Sequence, residues 1–252
     1  MKTAITLERV GREYVKGKER FWGIRDLDLN IYKGEIISII GPSGCGKTTT
    51  LKILGGILDV SEGCVSYAHG DVEKVRMEGK LGYVPQSPAL LPNRTVLQNI
   101  LFPFEMRGGE QDKSLVDELI SFTELSEFRQ YYPYQLSGGM KQKVAIVRAL
   151  VYGPEILLMD EPFSSLDEIM REKLDLELLR IQKAFDKTIV FVTHSIEEAA
   201  FISDRIAVLS AAPGKIVDII SSNMPDERTL ETKKEQVYFD QINSIREVFG
   251  RV

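Results

Sequence analysis

The 252-residue chain is 43% hydrophobic and 27% charged, proportions ordinary for a globular protein with a substantial buried core. A formal charge of −5 argues against a broad polyanion-binding face, so nucleic acid is not expected as a partner. The longest apolar runs, among them Ile156 to Met159 and Thr188 to Val192, are far shorter than the ~20 residues of a membrane span, and any membrane association should be peripheral.

The first ten residues acquire charge too soon for the apolar core of a signal peptide, and the two cysteines, Cys45 and Cys64, read as reduced thiols. Both features point to the cytoplasm. Short β-type runs follow: Ala4 to Val10, a polar turn at Lys16-Gly17-Lys18-Glu19-Arg20, and Leu27 to Tyr32, where Leu27, Leu29 and Ile31 alternate with Asp28 and Asn30 as in a half-buried strand. Ile36 to Ile40 is apolar on both faces, as a central parallel strand should be.

That strand runs into Gly41-Pro42-Ser43-Gly44-Cys45-Gly46-Lys47-Thr48-Thr49, which fits the phosphate-loop pattern G-x-x-x-x-G-K-[ST] at every fixed position. Glycines let successive backbone N–H groups curl around a phosphate without Cβ clashes, and the helix that follows adds partial positive charge at its N-terminus. Lys47 is placed to reach the β and γ phosphates and Thr48 to offer a hydroxyl to Mg²⁺. Because Cys45 lies inside this loop, alkylating it is expected to block nucleotide binding by steric conflict. Cys64 to Tyr67 and Leu81 to Val84 read as further strands, and His69, in a turn composition, as a solvated surface histidine.

From Gln86 to about residue 151 the texture becomes helical. Pro85, Pro88 and Pro92 punctuate a loop; Thr95 to Met106 and Lys113 to Leu125 then carry helical spacing, with Leu115, Leu119 and Phe122 on one face. Leu136-Ser137-Gly138-Gly139 opens another helix, so Gly138 and Gly139 expose N–H groups at a second helix start, a second anion site or an ordinary cap made by Ser137. Residues 156 to 209 return to α/β alternation. Ile156-Leu157-Leu158-Met159 ends in Asp160 and Glu161, two carboxylates at a buried strand's carboxyl end. Adjacent strand residues point to opposite faces, so Asp160 is free for a Mg²⁺ shell and Glu161 for the attacking water. No long-period repeat is visible, so one nucleotide domain is expected.

With these motifs in this order, the chain resembles the nucleotide-binding subunit of ATP-binding cassette (ABC) transporters over about residues 4 to 220. The resemblance assigns Gln86 to the Q-loop, Leu136 to Gln142 to the signature, Asp160 and Glu161 to Walker B, Asp167 to the D-loop and His194 to the switch histidine. Lys141, Lys143 and Ser165 depart from the residues frequent there, without touching a catalytic role. It implies an α/β fold, a P-loop NTPase core with an N-terminal antiparallel β subdomain and a helical subdomain inserted at about 87–150. Residues 1–220 would form the ATPase domain; in 221–252, outside the resemblance, Tyr238, Ile242, Ile245 and Phe249 recur at helical spacing and predict an amphipathic helical extension, packed by default on its own domain.

The resemblance further implies ATP and Mg²⁺ as cofactors, with Thr48, Gln86 and Asp160 around the metal, and two subunits pairing head to tail. Ser137 and Gly139 would then contact the γ-phosphate in trans and Asp167 would lie at the seam. His194 would hydrogen-bond the γ-phosphate. For the adenine an aromatic platform is implied: Tyr14 is the matching residue, with Phe21 and Trp22 as competitors. Leu90 and Leu91 become docking candidates for separate transmembrane permease subunits, unless they tuck into the insert's own core. The loop at Gln86 and the segment Ala211 to Val217 are similar to those of nitrate, sulfonate and taurine importers. The expected activity is ATP hydrolysis at the cytoplasmic face of the membrane, powering import of a small anion delivered by a solute-binding protein. The alternatives are a soluble ABC-type ATPase, which would normally carry two cassettes or a coiled-coil insert, and a nucleotide sensor, which would be expected to lack Glu161 or His194.

Overall fold

The computed structural model describes residues 2–108 and 112–251. Its strands are β1 (Thr3–Lys16), β2 (Glu19–Tyr32), β3 (Ile36–Ile40), β4 (Glu62–Tyr67), β5 (Leu81–Val84), β6 (Ile156–Asp160), β7 (Thr188–Val192), β8 (Arg205–Leu209) and β9 (Ile216–Ser221). Its helices are α1 (Lys47–Leu54), α2 (Val72–Met77), α3 (Val96–Arg107), α4 (Lys113–Phe122), α5 (Gly138–Leu150), α6 (Glu168–Ala184), α7 (Ile196–Ile202) and α8 (Gln236–Phe249). Two sheets result, an antiparallel one in the order β2-β1-β4 and a larger one in the order β5-β6-β7-β3-β8-β9. In the larger sheet β5, β6, β7, β3 and β8 run parallel, while β9 returns antiparallel along β8.

The central strands β6, β7, β3 and β8 of the larger sheet are buried on both faces, which is why they read as mainly apolar runs. In β3, Ile37 and Ile39 face a core shared with Leu51 and Leu54 of α1 and with the antiparallel sheet. Ile36 and Ile40 face the opposite core, built with the helical insert, α6, α7 and α8. The expected alternation of Leu27, Leu29 and Ile31 is realised, all three being buried.

The first hairpin is longer than the expected short runs because its tip carries Glu13, Lys16, Glu19 and Arg20, whose polarity hides the strand pattern. Helix α2 was not legible either; six residues with a single buried side chain, Val75, make no period. In α4 the buried stripe is Val116, Leu119 and Ile120, with Leu115 and Phe122 half-buried at its border. Thr95, Asp112, Ser137, Asp167 and Ser195 cap α3, α4, α5, α6 and α7 through their side chains.

The C-terminal helix α8 packs on α7, burying Tyr238, Ile242, Ile245 and Val248. Each apolar side chain so buried contributes about 1.5–3 kcal/mol. The exposed ion pair Arg246–Glu197 at 3.2 Å adds at most about 1 kcal/mol. Burial therefore fixes α8 to the domain, as the default reading expected. His69 departs from expectation: its Nε2 lies 3.0 Å from Glu155 Oε2, and the ring is half-buried at the amino ends of β6 and β7. The turn composition around it could not report Glu155, 86 residues away in the chain.

Candidate active site

Strand order assembles the site. The carboxyl ends of β5, β6, β7 and β3 are neighbours, and each is followed by a segment carrying polar chemistry: Gln86 after β5, Asp160 and Glu161 at the end of β6, His194 after β7, and the phosphate loop after β3. Ligands of α/β sheets sit at this edge.

The phosphate loop is held by close packing. Gly46 has φ 101°, and a Cβ there would come within 2.3 Å of Ile24 Cγ2, so no other residue fits. Gly46 also stands at the N-cap of α1, where no side chain caps the helix and no acidic residue occupies the first turn. The first N–H groups of α1 are thus left for an anion. Lys47 is buried, and its Nζ donates to Gly41 O at 2.9 Å and Pro42 O at 3.1 Å.

Thr48 Oγ1 donates to Asp160 Oδ1 at 2.9 Å, and the Tyr83 hydroxyl donates to Oδ2 at 3.3 Å. Burial and the neighbouring Asp160 carboxylate push the Tyr83 phenol above its ordinary range, so it remains a donor. Tyr83 was missed from the sequence, where it is one position of a short strand with nothing to mark its partner. A threonine hydroxyl and a carboxylate in contact are hard oxygen donors of the kind Mg²⁺ takes together with phosphate oxygens and water. Among the described residues no group of three or more His, Cys, Asp and Glu gathers for a metal, so the fit is to a phosphate-borne Mg²⁺ rather than to a protein cage.

Glu161 follows β6 with φ 44°, and its N–H donates to Val192 O at 2.9 Å. This left-handed turn, rather than the strand alternation expected, separates its carboxylate from that of Asp160. Glu161 Oε2 lies 2.8 Å from His194 Nδ1. Gln86 Nε2 donates to Ser164 Oγ at 3.4 Å, and Ser164 Oγ donates to Glu161 O at 2.9 Å. The signature serine and glycine lie elsewhere: Ser137 and Gly139 line a cleft of about 700 Å³ between α5 and α6 that includes no phosphate-loop residue.

The match to known proteins follows this geometry. Residues 24–164 match the ABC transporter family model. The chain belongs to the ABC transporter family. It is 41% identical over 234 residues to an uncharacterized ABC transporter ATP-binding protein, MJ0412, of Methanocaldococcus jannaschii, covering 91% of this chain and 86% of that one. It is 36% identical to the aliphatic sulfonates import ATP-binding protein SsuB of Bacillus cereus, covering 92% and 91%. It is 41% identical to the choline transport ATP-binding protein OpuBA of Bacillus subtilis, of whose length it spans 57% while that match covers 85% of this chain. The solved cassette MJ0796, in a dimeric post-hydrolysis state bound to ADP and Pi, superimposes with a TM-score of 0.75 at 32% identity, over 86% of this chain and 98% of that chain. The chain is therefore an ATPase with the ABC ATPase fold, and ATP and Mg²⁺ are its cofactors.

In this ABC ATPase the hairpin register sorts the aromatic candidates. Tyr14 pairs with Phe21 and Glu13 with Trp22, so Tyr14 and Phe21 share one face and Trp22 lies on the other. The Tyr14 ring stacks on Phe21 at 5.6 Å, and its hydroxyl is 3.0 Å from Thr49 Oγ1, beside the phosphate loop. Trp22 instead packs over Gly11 and under the Arg25 guanidinium.

Leu90 and Leu91 are half-buried rather than exposed, and Leu90 packs against the core. Their loop is braced by Arg148, which donates to Pro88 O at 2.6 Å and Ala89 O at 2.9 Å, and by buried Asn99, which accepts from Leu91 N at 2.7 Å. Next to it, Phe102, Pro103, Met106 and Arg107 open a cleft of about 340 Å³ against β5 and α5, with Met106 69% exposed.

Cys45 is fully buried, and desolvation pushes its thiol above the ordinary range. Alkylation there is still expected to block nucleotide binding, but the folded loop shields the sulfur, so the modification requires the loop to open. Under native conditions a thiol reagent should label the exposed Cys64 alone and leave ATP binding intact, with Cys45 reacting only on unfolding. Mass spectrometry showing two labels on the folded protein would contradict this.

Proposed function

We propose that this ATPase powers import of a small solute, working as one of two head-to-tail subunits bound to separate transmembrane permease chains at the cytoplasmic face of the membrane. The observation that carries the reading is the separation within one chain of two phosphate-type helix starts. The phosphate loop opens α1 at the sheet edge, while Ser137 and Gly139 open α5 on a different cleft. A second subunit turned to face the first brings the two kinds of helix start together on one nucleotide. Asp167, exposed at the start of α6 with Oδ1 capping Met170 N at 3.0 Å, would then lie along the seam.

Lys47 and the N–H groups of Gly44 to Thr48 would hold the phosphates, and Thr48, Asp160 and Gln86 the Mg²⁺, which when bound polarises the phosphoryl oxygens. Tyr14 would stack on the adenine; stacking of this kind is worth about 1–3 kcal/mol. Glu161 would accept a proton from the attacking water. A neutral His194 has a single N–H, so it would donate either from Nδ1 to Glu161, as the 2.8 Å contact allows, or to the γ-phosphate, the change of partner requiring a change of tautomer or a turn of the ring.

The permease would dock at the Met106 cleft beside the braced Leu90–Leu91 loop, with a solute-binding protein delivering the cargo from the far side. Among the described residues no helix is long and apolar enough to cross a membrane, in keeping with peripheral attachment. Likeness to SsuB favours a sulfonate-like anion, whereas OpuBA carries choline in its name; the import reading covers both.

The test is the mass of the Glu161→Gln protein by light scattering, with and without Mg-ATP. A nucleotide-dependent doubling is expected. A protein that binds ATP and stays monomeric would count against the head-to-tail arrangement.

A further inference from the structure

Behind His194 lies a set of buried polar groups that the hydrolysis site does not use. Thr193 is 1% exposed and Glu198 5% exposed. The Thr193 hydroxyl donates to Glu198 Oε2 and accepts from Ser195 N at 3.0 Å. The Ser195 hydroxyl in turn accepts from Glu198 N at 3.1 Å. Residues on either side of His194 are thus bound to one another and to Glu198, while the His194 side chain itself is 59% exposed.

A buried carboxylate needs compensation. Burial pushes the Glu198 carboxyl above the ordinary glutamate range, with the Thr193 hydrogen bond and the Arg171 charge opposing that push. Arg171 on α6 donates through Nη2 to Leu166 O at 3.0 Å, in the 164–167 segment. Its Nε lies 3.8 Å from Glu198 Oε1, and both of these buried atoms lack a hydrogen-bond partner. Lys233, from the C-terminal segment, lies 3.1 Å from Glu172 and 3.9 Å from buried Asp175, one turn along α6 from Arg171. A carboxylate held at this cost beside a reacting histidine calls for a reason beyond packing.

We propose that Glu198 is a positioning residue for His194: by holding the Thr193 hydroxyl it fixes the turn that aims the imidazole, and Arg171 anchors Glu198 to the 164–167 segment. The inference rests on the role given to His194 above. It extends the hydrolysis site inward to a side chain that touches no reactant.

Thr193→Val keeps the side-chain shape and removes the hydroxyl. Steady-state ATPase assays should show kcat reduced roughly tenfold to a hundredfold, as small misplacements of reacting groups do, with the KM for ATP within about twofold of wild type. Glu198→Ala should behave alike, and the double variant no worse than either. Glu198→Gln should fall between wild type and Glu198→Ala, because its amide oxygen accepts the Thr193 hydrogen bond while its NH2 cannot pair with Arg171.

The chain holds two histidines, so in a His69→Asn background the imidazole NMR signals report on His194 alone. These signals should move in Thr193→Val and Glu198→Ala, and to a smaller extent in Arg171→Met. Unmoved ring signals, with kcat and KM falling together in step with thermal stability, would reduce Glu198 to a core residue and overturn the proposal. Equal damage from Glu198→Gln and Glu198→Ala would overturn it as well. His194→Ala run alongside separates the two levels. Wild-type kcat in that variant would remove the role of His194 and this inference with it; a collapse there beside an unaffected Thr193→Val would remove this inference alone.

Discussion

Replacing Glu161 with glutamine should lower kcat by about two to four orders of magnitude, the usual contribution of a positioned general base, while ATP still binds. The substitution is nearly isosteric, and a glutamine accepts the same left-handed backbone at φ 44° as the glutamate does. Its amide oxygen also accepts from His194 Nδ1, so the 2.8 Å contact survives. What disappears is the ability to take up a proton. Phosphate release measured under saturating ATP, beside an equilibrium titration of nucleotide binding, separates the two effects. Near wild-type turnover would mean that the water is activated elsewhere.

Lys47→Ala should instead lose binding and turnover together. The ammonium is buried and donates to Gly41 O and Pro42 O, so it braces the loop here, and in the proposed role it would also meet the phosphates. Its removal eliminates a cation that each phosphate oxygen would meet, and turns two carbonyl oxygens, now without a donor, toward an anion. A hydrogen bond to a charged group is worth about 1.5–3 kcal/mol. ATP affinity should therefore fall by roughly tenfold to more than a hundredfold, with hydrolysis falling at least as far. Titration with a fluorescent ATP analogue reads the first effect, and tight binding by the variant would contradict the phosphate-loop assignment.

Taken together, the two variants divide the site along a physical line. In the proposed roles Lys47 would act on charge already present in bound ATP, whereas Glu161 would act on charge that develops only as the water attacks. The first change should appear in affinity and the second in kcat.

The features legible in the sequence are those whose causes are local along the chain. Ile36 to Ile40 followed by Gly41 to Thr49 announces strand, loop and helix because the glycines, the lysine and the apolar run are consecutive. β7 coincides with the apolar run Thr188 to Val192 because a strand buried on both faces is a run of apolar residues with polar ends. The α8 helix was visible through Tyr238, Ile242, Ile245 and Phe249 at helical spacing, although Val248 is buried and Phe249 only half-buried.

Only the tertiary structure decided what depends on neighbours distant in the chain. The order β5-β6-β7-β3 sets Gln86, Glu161, His194 and Lys47 along one edge, and no local pattern encodes which parallel strand lies beside which. The pairing of Tyr14 with Phe21 and Glu13 with Trp22 is a matter of register, and a slip of one residue would have exchanged the faces. Tyr83 beside Asp160, His69 beside Glu155 and Glu198 beneath Thr193 are meetings of side chains that the sequence leaves unmarked. β9 went unread because it is an edge strand with only half-buried and exposed residues, and its one constraint is pairing to β8. The sequence by itself determined the chemical groups and the local elements that carry them, since propensity and periodicity act over a few residues. Burial and strand order, which act across the whole chain, determined where those groups meet.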